Sequence, residues 1–222
     1  MHIEMTSLSS FRFLSLILLL LMIINPSQSH FSELNSGNDV VHVSLYYESL
    51  CPFSKDFILE VLEKFTKLDV MSIVNLHLVP YGNAFTSQNG TVSCQHGPDE
   101  CYYNIIEACA LEAWPLKYSL PFIFCVENGL FTNGNPSVWG SCCNRLRLDP
   151  RPIQNCYSSK HGNELHIRNG KETNDLNPPL THVPWLLVNG QYVDAENDDL
   201  VNHVCNAYKG PLKFKACQKK EK

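Results

Sequence analysis

The stretch VVHVSLYYESLCPFSKDF (residues 40–57) decides the fold, because its pattern changes from strand to helix at a cysteine. Apolar and polar side chains alternate over residues 40–47, which is the period of a strand with one buried face. Pro52 stands at the first helical position, where its missing N–H costs nothing. Beyond it the apolar positions have helical spacing, and they are Phe53, Phe57, Val61, Phe65 and Leu68. The sequence therefore predicts a strand that ends at Cys51 and continues directly into an amphipathic helix.

A second strand is predicted shortly after this helix, because alternation returns over residues 72–81. A strand, a helix and a strand in so short a stretch form a βαβ unit with parallel strands. The next segment, about residues 82–182, is too long for a loop inside a compact domain. Its residues 100–113 have a helical pattern, and helices are also expected over residues 136–146 and 163–176.

The C-terminal part of the sequence predicts a hairpin followed by a helix. Residues 183–193 form two strand patterns joined at Asn189-Gly190, the dipeptide that a type I′ turn prefers. Helical spacing follows over residues 198–208, with Asp198 as the expected N-terminal cap. The element order is β-α-β, a long middle segment, then β-β-α. We therefore expect an α/β protein of the thioredoxin-like fold class with a large helical insertion, stapled by disulfides.

The N-terminus has the pattern of a secretory signal peptide. Arg12 precedes the apolar run of residues 13–24, and small serines lie just before His30. The run is shorter than the roughly 20 residues that span a bilayer. We interpret residues 1–29 as a signal peptide and residues 30–222 as one domain, with no membrane attachment once the signal is removed.

The charge pattern argues against nucleic acid and anionic membranes as partners. The formal net charge is −5, and no basic cluster is longer than the tail of residues 219–222, which is more simply a solvated chain end than a binding patch. In a secreted chain, Asn89-Gly90-Thr91 is a sequon for glycosylation at Asn89.

Cys51 is the predicted nucleophile, because the chain places it where a strand meets a helix. Free N–H groups and the helix dipole at such a position favour the thiolate. The alternative is that Cys51 is half of a structural disulfide or a small buried side chain. Ser54 stands where a C-x-x-C enzyme has its second cysteine. Its hydroxyl can donate to the thiolate or cap a backbone N–H, but it cannot attack a mixed disulfide as a resolving thiolate does.

The other cysteines are expected to form structural disulfides, because the secretory route is oxidising. Cys142 and Cys143 are adjacent, which favours two separate partners over a bond between them. Nine cysteines remain besides Cys51. Because nine is an odd number, at least one of them is unpaired or pairs with Cys51. The nine are Cys94, Cys101, Cys109, Cys125, Cys142, Cys143, Cys156, Cys205 and Cys217.

Cys101 and Cys109 cannot bond each other if residues 100–113 are helical. They would lie about 12 Å apart along the helix, and a disulfide needs Cα atoms within about 7 Å. A zinc site made of Cys94, His96, Cys101 and Cys109 is conceivable, but its spacing matches no common template and the compartment favours disulfides. His96 is more simply a loop histidine that makes a hydrogen bond.

Pro184 is the last local feature, since it begins the third core strand. In a thioredoxin-like fold a proline there faces the active-site cysteine, in the cis form, and helps to pair with an extended substrate. The residues alone are equally compatible with a trans proline at a strand start.

Three segments of this sequence resemble a known family. CQHGPDECYYNIIEAC (residues 94–109) matches the signature C-Q-H-G-x-x-E-C-x-x-N-x-x-x-x-C of the gamma-interferon-inducible lysosomal thiol reductase (GILT) family. LYYESLCPFS (residues 45–54) resembles its active-site strand, and VPWLLVNG (residues 183–190) its proline loop and hairpin. The likeness extends over nearly all of the mature chain.

This resemblance implies a reductase of the secretory and endolysosomal route that opens protein disulfides, with Cys51 as nucleophile and Pro184 as the cis proline. No bound cofactor is implied. The departure is Ser54, where most members have a resolving cysteine.

Three functions remain open from the sequence. The first is a thiol oxidoreductase with one cysteine, whose mixed disulfide is resolved by an external thiol such as glutathione. The second is a non-catalytic protein that traps or binds thiols and keeps the fold. The third is a secreted, disulfide-rich protein in which Cys51 has no role. The sequence does not distinguish the vacuole or lysosome from the extracellular space.

Overall fold

The structure is a computed structural model that describes residues 40–133, 137–195 and 199–218. The signal peptide predicted at residues 1–29 and the basic tail at residues 219–222 lie outside the described residues, as does Asp198. The signal peptide therefore stays a prediction.

The described residues form a mixed α/β structure. The strands are β1 (Val41–Tyr47), β2 (Val74–Pro80), β3 (Phe85–Thr86), β4 (Val92–Ser93), β5 (Trp185–Val188) and β6 (Gln191–Val193). The α-helices are α1 (Pro52–Asp56), α2 (Glu63–Phe65), α3 (Pro98–Ala113), α4 (Leu116–Asn133), α5 (Val138–Leu146), α6 (Arg151–Tyr157), α7 (Lys160–Asn174) and α8 (Leu200–Ala207). A π-helical segment, Phe57–Leu62, joins α1 to α2, and 3₁₀ turns lie at Asp69–Ile73 and Lys215–Cys217.

The central sheet has the strand order β2-β1-β5-β6, with β1 in the interior. Leu45 of β1 is paired with Leu78 of β2 in parallel register and with Leu186 of β5 in antiparallel register. All three side chains are buried. The parallel βαβ unit predicted from the sequence is confirmed, and the sheet is the one expected of a thioredoxin-like fold.

The hairpin between β5 and β6 has the predicted turn. Asn189 and Gly190 both have positive φ angles, 48° and 76°, as a type I′ turn requires. The Asn189 side chain also accepts a hydrogen bond at 2.8 Å from the backbone N–H of His42. The turn residue therefore fastens the hairpin to the start of β1.

The described part of the chain between β2 and β5 contains the short strands β3 and β4 and then five helices, α3 to α7. The predicted helices are confirmed as α3, α5 and α7, and α7 begins earlier than expected because the Ser159 hydroxyl caps it. The helices α4 and α6 were not predicted. Pro121 lies inside α4, and a proline in a helical pattern indicates a break, since it removes one backbone hydrogen bond. The apolar surroundings of α4 override that local preference: Phe122, Ile123 and Val126 are completely buried.

The last helix, α8, is capped by Asp199 rather than by the predicted Asp198. The Asp199 carboxylate accepts hydrogen bonds from the N–H groups of Val201 and Asn202. In the part of the chain that the structure describes, no helix combines the length and the apolar character needed to cross a membrane.

Four disulfides join parts of the insertion and the C-terminal segment. They are Cys94–Cys101, Cys109–Cys156, Cys125–Cys142 and Cys205–Cys217. Cys101 and Cys109 bond different partners, as predicted from their spacing on α3. Because Cys94, Cys101 and Cys109 are all oxidised, they cannot supply the thiolates of the conceivable zinc site.

Cys143 was expected to form a disulfide, and that prediction is wrong. Cys142 bonds Cys125, whereas Cys143 is a free thiol that is completely buried on the next position of α5. Adjacent helical residues point in different directions, so only one of the two faces α4. Burial raises the pKa of the Cys143 thiol to about 11. The odd cysteine of the nine is therefore Cys143, and Cys51 is free as well.

The disulfide between α3 and α6 should contribute strongly to stability, because it closes a loop with a sequence separation of 47. Replacing Cys109 and Cys156 together by alanine should lower the free energy of unfolding by about 2–4 kcal/mol. Urea denaturation of both proteins under non-reducing conditions measures this difference. A loss below about 0.5 kcal/mol would show that the loop is already constrained without the disulfide.

Candidate active site

Cys51 lies at the junction between β1 and α1, as the sequence predicts. Its extended backbone (φ −81°, ψ 120°) makes it the N-cap, and Pro52 is the first helical residue. The Cys51 carbonyl accepts the first helical hydrogen bond, from the Lys55 N–H at 3.0 Å. The N–H groups earlier in this turn have no helical acceptor, and the Cys51 side chain accepts no capping hydrogen bond from them.

Ser54 lies one turn further along, and its predicted hydrogen bond is not observed. The side chain is completely buried, and its Oγ has no hydrogen-bond partner among the described residues. In this structure the hydroxyl makes neither of the hydrogen bonds of which it is capable, to Cys51 or to a backbone N–H. Ser54 faces the protein interior, whereas Cys51 is 5% exposed at the helix end.

Pro184 is close to the helix that follows Cys51. The Val183–Pro184 bond is cis, as the family resemblance implies. β5 begins at the next residue, Trp185, which is paired with Tyr46 of β1. Pro184 also lines a cavity of about 310 Å³ against this helix. The lining residues are Phe53, Asp56, Phe57, Glu60, Val61, Pro184 and Ala195.

Phe53 has a different position from the one expected. The sequence assigned it to the buried face of the helix, but its side chain is 62% exposed. Phe53 is the second helical residue, and it reaches the rim of the cavity beside Pro184 instead of the core. An exposed aromatic ring between Cys51 and Ser54 is a candidate contact for a substrate.

Residues of the signature segment (residues 94–109) hold the chain just before Cys51. The backbone N–H of Ser49 donates to the Asn104 side chain at 3.0 Å, and the Ser49 hydroxyl donates to the Glu100 carbonyl at 3.3 Å. Ser49, Glu100 and Asn104 are completely buried. These hydrogen bonds join α3 to the strand end, so the signature fixes the approach of the chain to its nucleophile.

A second part of the signature surrounds Glu48. The Glu48 carboxylate accepts from the Asn83 N–H at 2.8 Å. The Asn83 side chain donates to that of Gln95 at 2.7 Å. Gly82 has a φ of 62°, and a Cβ on it would lie 2.3 Å from the Glu48 carboxylate. Only glycine therefore fits there. Burial raises the pKa of Glu48 above its ordinary value.

His96 lies between two buried carboxylates. Its Nδ1 makes a close contact with Glu100 Oε2 and lies 3.5 Å from Glu48 Oε1. His96 therefore makes a hydrogen bond, as expected of a loop histidine. The sequence did not single out Glu48 as its partner. The signal was present, because Glu48 is an acidic residue directly after a strand of apolar character.

A buried acid pair, Glu107 and Glu127, lies near Cys51. Tyr47 donates to Glu107 at 2.6 Å, and all three side chains are completely buried. Burial raises the pKa of Glu107 to about 8. Burial also raises the pKa of Glu127 well above its ordinary value, and the charges of Glu107 and of a Cys51 thiolate add to this effect. Sequence reasoning missed both acids, although Glu107 interrupts the apolar segment IIEACA.

The sequon Asn89 lies in the exposed turn between β3 and β4. Its side chain accepts hydrogen bonds from the Ser87 hydroxyl and the Thr91 N–H. Glycosylation at Asn89 stays a prediction.

The architecture is shared with solved bacterial proteins of thioredoxin-like fold. Oxidised BdbD from Bacillus subtilis superimposes with a TM-score of 0.58 at 13% identity, over 78% of this chain and 90% of that protein. A thioredoxin-like oxidoreductase from Silicibacter pomeroyi gives a TM-score of 0.50 at 15% identity, over 72% and 80% of the two chains. At such low identity these likenesses establish the class of fold, which is thioredoxin-like.

Sequence comparison gives the family. Residues 42–146 match the model of the gamma interferon inducible lysosomal thiol reductase (GILT) family. The gamma-interferon-responsive lysosomal thiol protein of Arabidopsis thaliana is 42% identical over 77% of this chain and 72% of its own length. The gamma-interferon-inducible lysosomal thiol reductase of Carassius auratus is 38% identical over 77% and 69%. The chain belongs to the GILT family.

The acid pair should make the protein more stable at acidic than at neutral pH. The pKa of Glu107 is about 8 in the folded protein, against about 4.3 for an exposed glutamate. Its contribution to stability is therefore complete below the lower value and is lost as the pH rises towards the higher one. Glu107→Gln keeps an acceptor for Tyr47 and removes the titration, so this variant should lose less stability between pH 5 and pH 8 than the unmodified protein.

Urea denaturation across that pH range measures the effect, and a difference of at least about 1 kcal/mol is expected. The exposed Glu60→Gln is the matched control and should leave the pH profile unchanged. Parallel profiles for Glu107→Gln and the unmodified protein would contradict the assignment of a protonated Glu107.

Proposed function

We propose that this protein is a thiol–disulfide oxidoreductase that uses Cys51 as its single catalytic sulfur and an external thiol, such as glutathione, to complete the reaction. One observation carries this proposal. Eight of the other nine cysteines are paired in disulfides, and the ninth, Cys143, is a free thiol that is completely buried. Cys51 is free too, and it lies 5% exposed at a helix N-terminus. Membership of the GILT family supports the same chemistry.

In the first step the Cys51 thiolate attacks one sulfur of a substrate disulfide. A bond forms between Cys51 and that sulfur, and the substrate disulfide breaks. The second substrate sulfur leaves as a thiolate and takes a proton from solvent. The positive end of the helix dipole would favour the attacking anion, because Cys51 is the N-cap of α1.

In the second step an external thiolate must attack the mixed disulfide, because Ser54 has no sulfur. One glutathione releases the substrate as a thiol and leaves glutathione bonded to Cys51. A second glutathione then frees the Cys51 thiolate and forms oxidised glutathione. Two glutathione molecules are oxidised for each substrate disulfide that is reduced, so the electrons balance.

The buried acid pair supports this mechanism by remaining uncharged. A charged carboxylate near Cys51 would oppose formation of the thiolate, because their repulsion is weakly screened in the interior. The raised pKa of Glu127 keeps its carboxyl group protonated, so it adds no negative charge beside the nucleophile. Glu107 and Glu127 therefore act through Cys51, because their uncharged carboxyl groups do not repel its thiolate.

The cavity at Phe53 and Pro184 supports an extended segment of a disulfide-containing protein as substrate. Phe53 offers an exposed ring, and Pro184, the residue before β5, lines the same cavity. An aromatic rim beside the nucleophile can bind apolar side chains that flank a substrate cysteine.

We also propose the secretory and lysosomal route as the location of this activity, with Asn89 as a glycan site. The four disulfides are those of a protein that matures in an oxidising compartment. The mouse relative is called a lysosomal thiol reductase.

Ser54→Cys should accelerate product release. In the unmodified protein the mixed disulfide with Cys51 should persist on a non-reducing gel until glutathione is added. A thiolate introduced one helical turn away acts at a high effective concentration, so Ser54→Cys should release product without an added thiol, at least about 10-fold faster. Cys51→Ser should form no complex.

Ser119→Cys is the matched control, because Ser119 is also completely buried with an unpartnered hydroxyl among the described residues. It should leave the complex as stable as in the unmodified protein. Unaided release by the unmodified protein at the rate of Ser54→Cys would contradict the proposal. A complex that resists glutathione would instead indicate a thiol-trapping protein without turnover.

A further inference from the structure

We propose that Glu48, His96 and Glu100 form a binding site for a divalent transition-metal ion, with Zn²⁺ as the best match. This site is different from the conceivable one at the signature cysteines, which are oxidised. It keeps His96 and replaces the sulfur ligands with two carboxylates. Thiol exchange at Cys51 does not require a metal ion, so metal binding here would be a function in addition to the proposed reaction.

The three side chains converge on one point. One ligand atom from each lies within 4.8 Å of the other two. Glu48 Oε1 and His96 Nδ1 are 3.5 Å apart. Zinc binds nitrogen and oxygen at about 2.0–2.2 Å, so the ligands of a tetrahedral site are about 3.4 Å apart. The contact between His96 Nδ1 and Glu100 Oε2 is shorter than this separation, so it would have to lengthen for an ion to bind between them.

The burial of the two acids favours binding of a cation at this point. The Glu48 side chain is 1% exposed and that of Glu100 is 0% exposed. Glu48 Oε1, the oxygen that faces His96, has no hydrogen-bond partner among the described residues. Across the same residues, His96 is the only ion-pair partner of either acid. Two buried carboxylates beside one imidazole are poorly compensated, and a divalent ion would balance both.

In each carboxylate, one oxygen accepts a backbone hydrogen bond, and this bond orients the other oxygen. Glu48 Oε2 accepts from the Asn83 N–H at 2.8 Å, and Glu100 Oε1 accepts from the Gln95 N–H at 2.9 Å. Glu48 Oε1 and Glu100 Oε2 are thereby held towards His96. Hydrogen bonds of this kind orient the ligands in metal sites and increase their affinity.

The loop that carries His96 is rigid, and it leaves the site accessible. The disulfide Cys94–Cys101 closes this loop, and Gly97, the N-cap of α3, has a φ of 93° that only glycine adopts readily. The His96 side chain is 36% exposed. An ion can therefore enter from solvent on that side and keep a water molecule as its fourth ligand.

The donor set selects the ion. One imidazole nitrogen with two carboxylate oxygens suits Zn²⁺ or Mn²⁺, whereas Mg²⁺ prefers six oxygens and retains its water. Bound metal would link Glu48, three residues before the nucleophile, to the signature segment. It would hold the strand end that positions Cys51.

Titration calorimetry with ZnCl₂ at pH 7.5 tests the site. Cys51→Ser is the background, so that the free thiol does not bind the ion. We expect one Zn²⁺ per chain, with a dissociation constant that rises at least 10-fold in Glu48→Gln and in His96→Gln. Binding should also weaken at pH 5.5, because a ligating imidazole must be unprotonated.

The double variant Glu112→Gln and His161→Gln is the matched control, since it removes a surface pair of the same residue types. Its affinity should be unchanged. Co²⁺ added to the Cys51→Ser protein gives a readout that does not depend on folding of the site variants, and it should show the visible absorption of a four-coordinate ion. Absence of stoichiometric Zn²⁺ binding, or binding that survives Glu48→Gln in a folded protein, would overturn the proposal.

Discussion

The hydrogen bond from the Ser49 backbone to Asn104 is the interaction on which the site depends most. It is completely buried, and it joins the end of β1 to α3, the helix that carries most of the signature segment. A second bond, from the Ser49 hydroxyl to the Glu100 carbonyl, restrains the same residue. A buried backbone donor without its acceptor costs about 1–3 kcal/mol. The chain therefore reaches Cys51 in one conformation, and α1 can begin there.

The buried acids around this junction form two groups, which differ in how the cost of burying a carboxyl group is met. Glu107 and Glu127 are buried, and this burial raises the pKa of both carboxyl groups, although the hydrogen bond from Tyr47 lowers that of Glu107 in part. Glu48 and Glu100 instead face a partly exposed imidazole and receive backbone N–H donors. The first group keeps negative charge away from the nucleophile. The second holds the signature segment against the strand end.

The features that the sequence predicted correctly are those that depend on periodicity and on local chemistry. The parallel βαβ unit, the Asn189-Gly190 turn and the position of Cys51 at a helix N-terminus all follow from residue patterns and are confirmed. Tertiary context decided the rest. Pro121 is tolerated because α4 is deeply packed, and Phe53 turns outward beside Pro184 although its spacing matches a buried face. The acids converge from distant segments, and no spacing rule reveals that.

The central claim is that Cys51 acts without a second protein thiol, and the dependence of product release on glutathione tests it most directly. A preformed mixed disulfide between Cys51 and a fluorescent peptide would be mixed with increasing glutathione, and the release rate would be measured at each concentration. The account predicts a rate proportional to glutathione that extrapolates to zero in its absence. A release rate that is substantial without glutathione and does not change with its concentration would contradict the account.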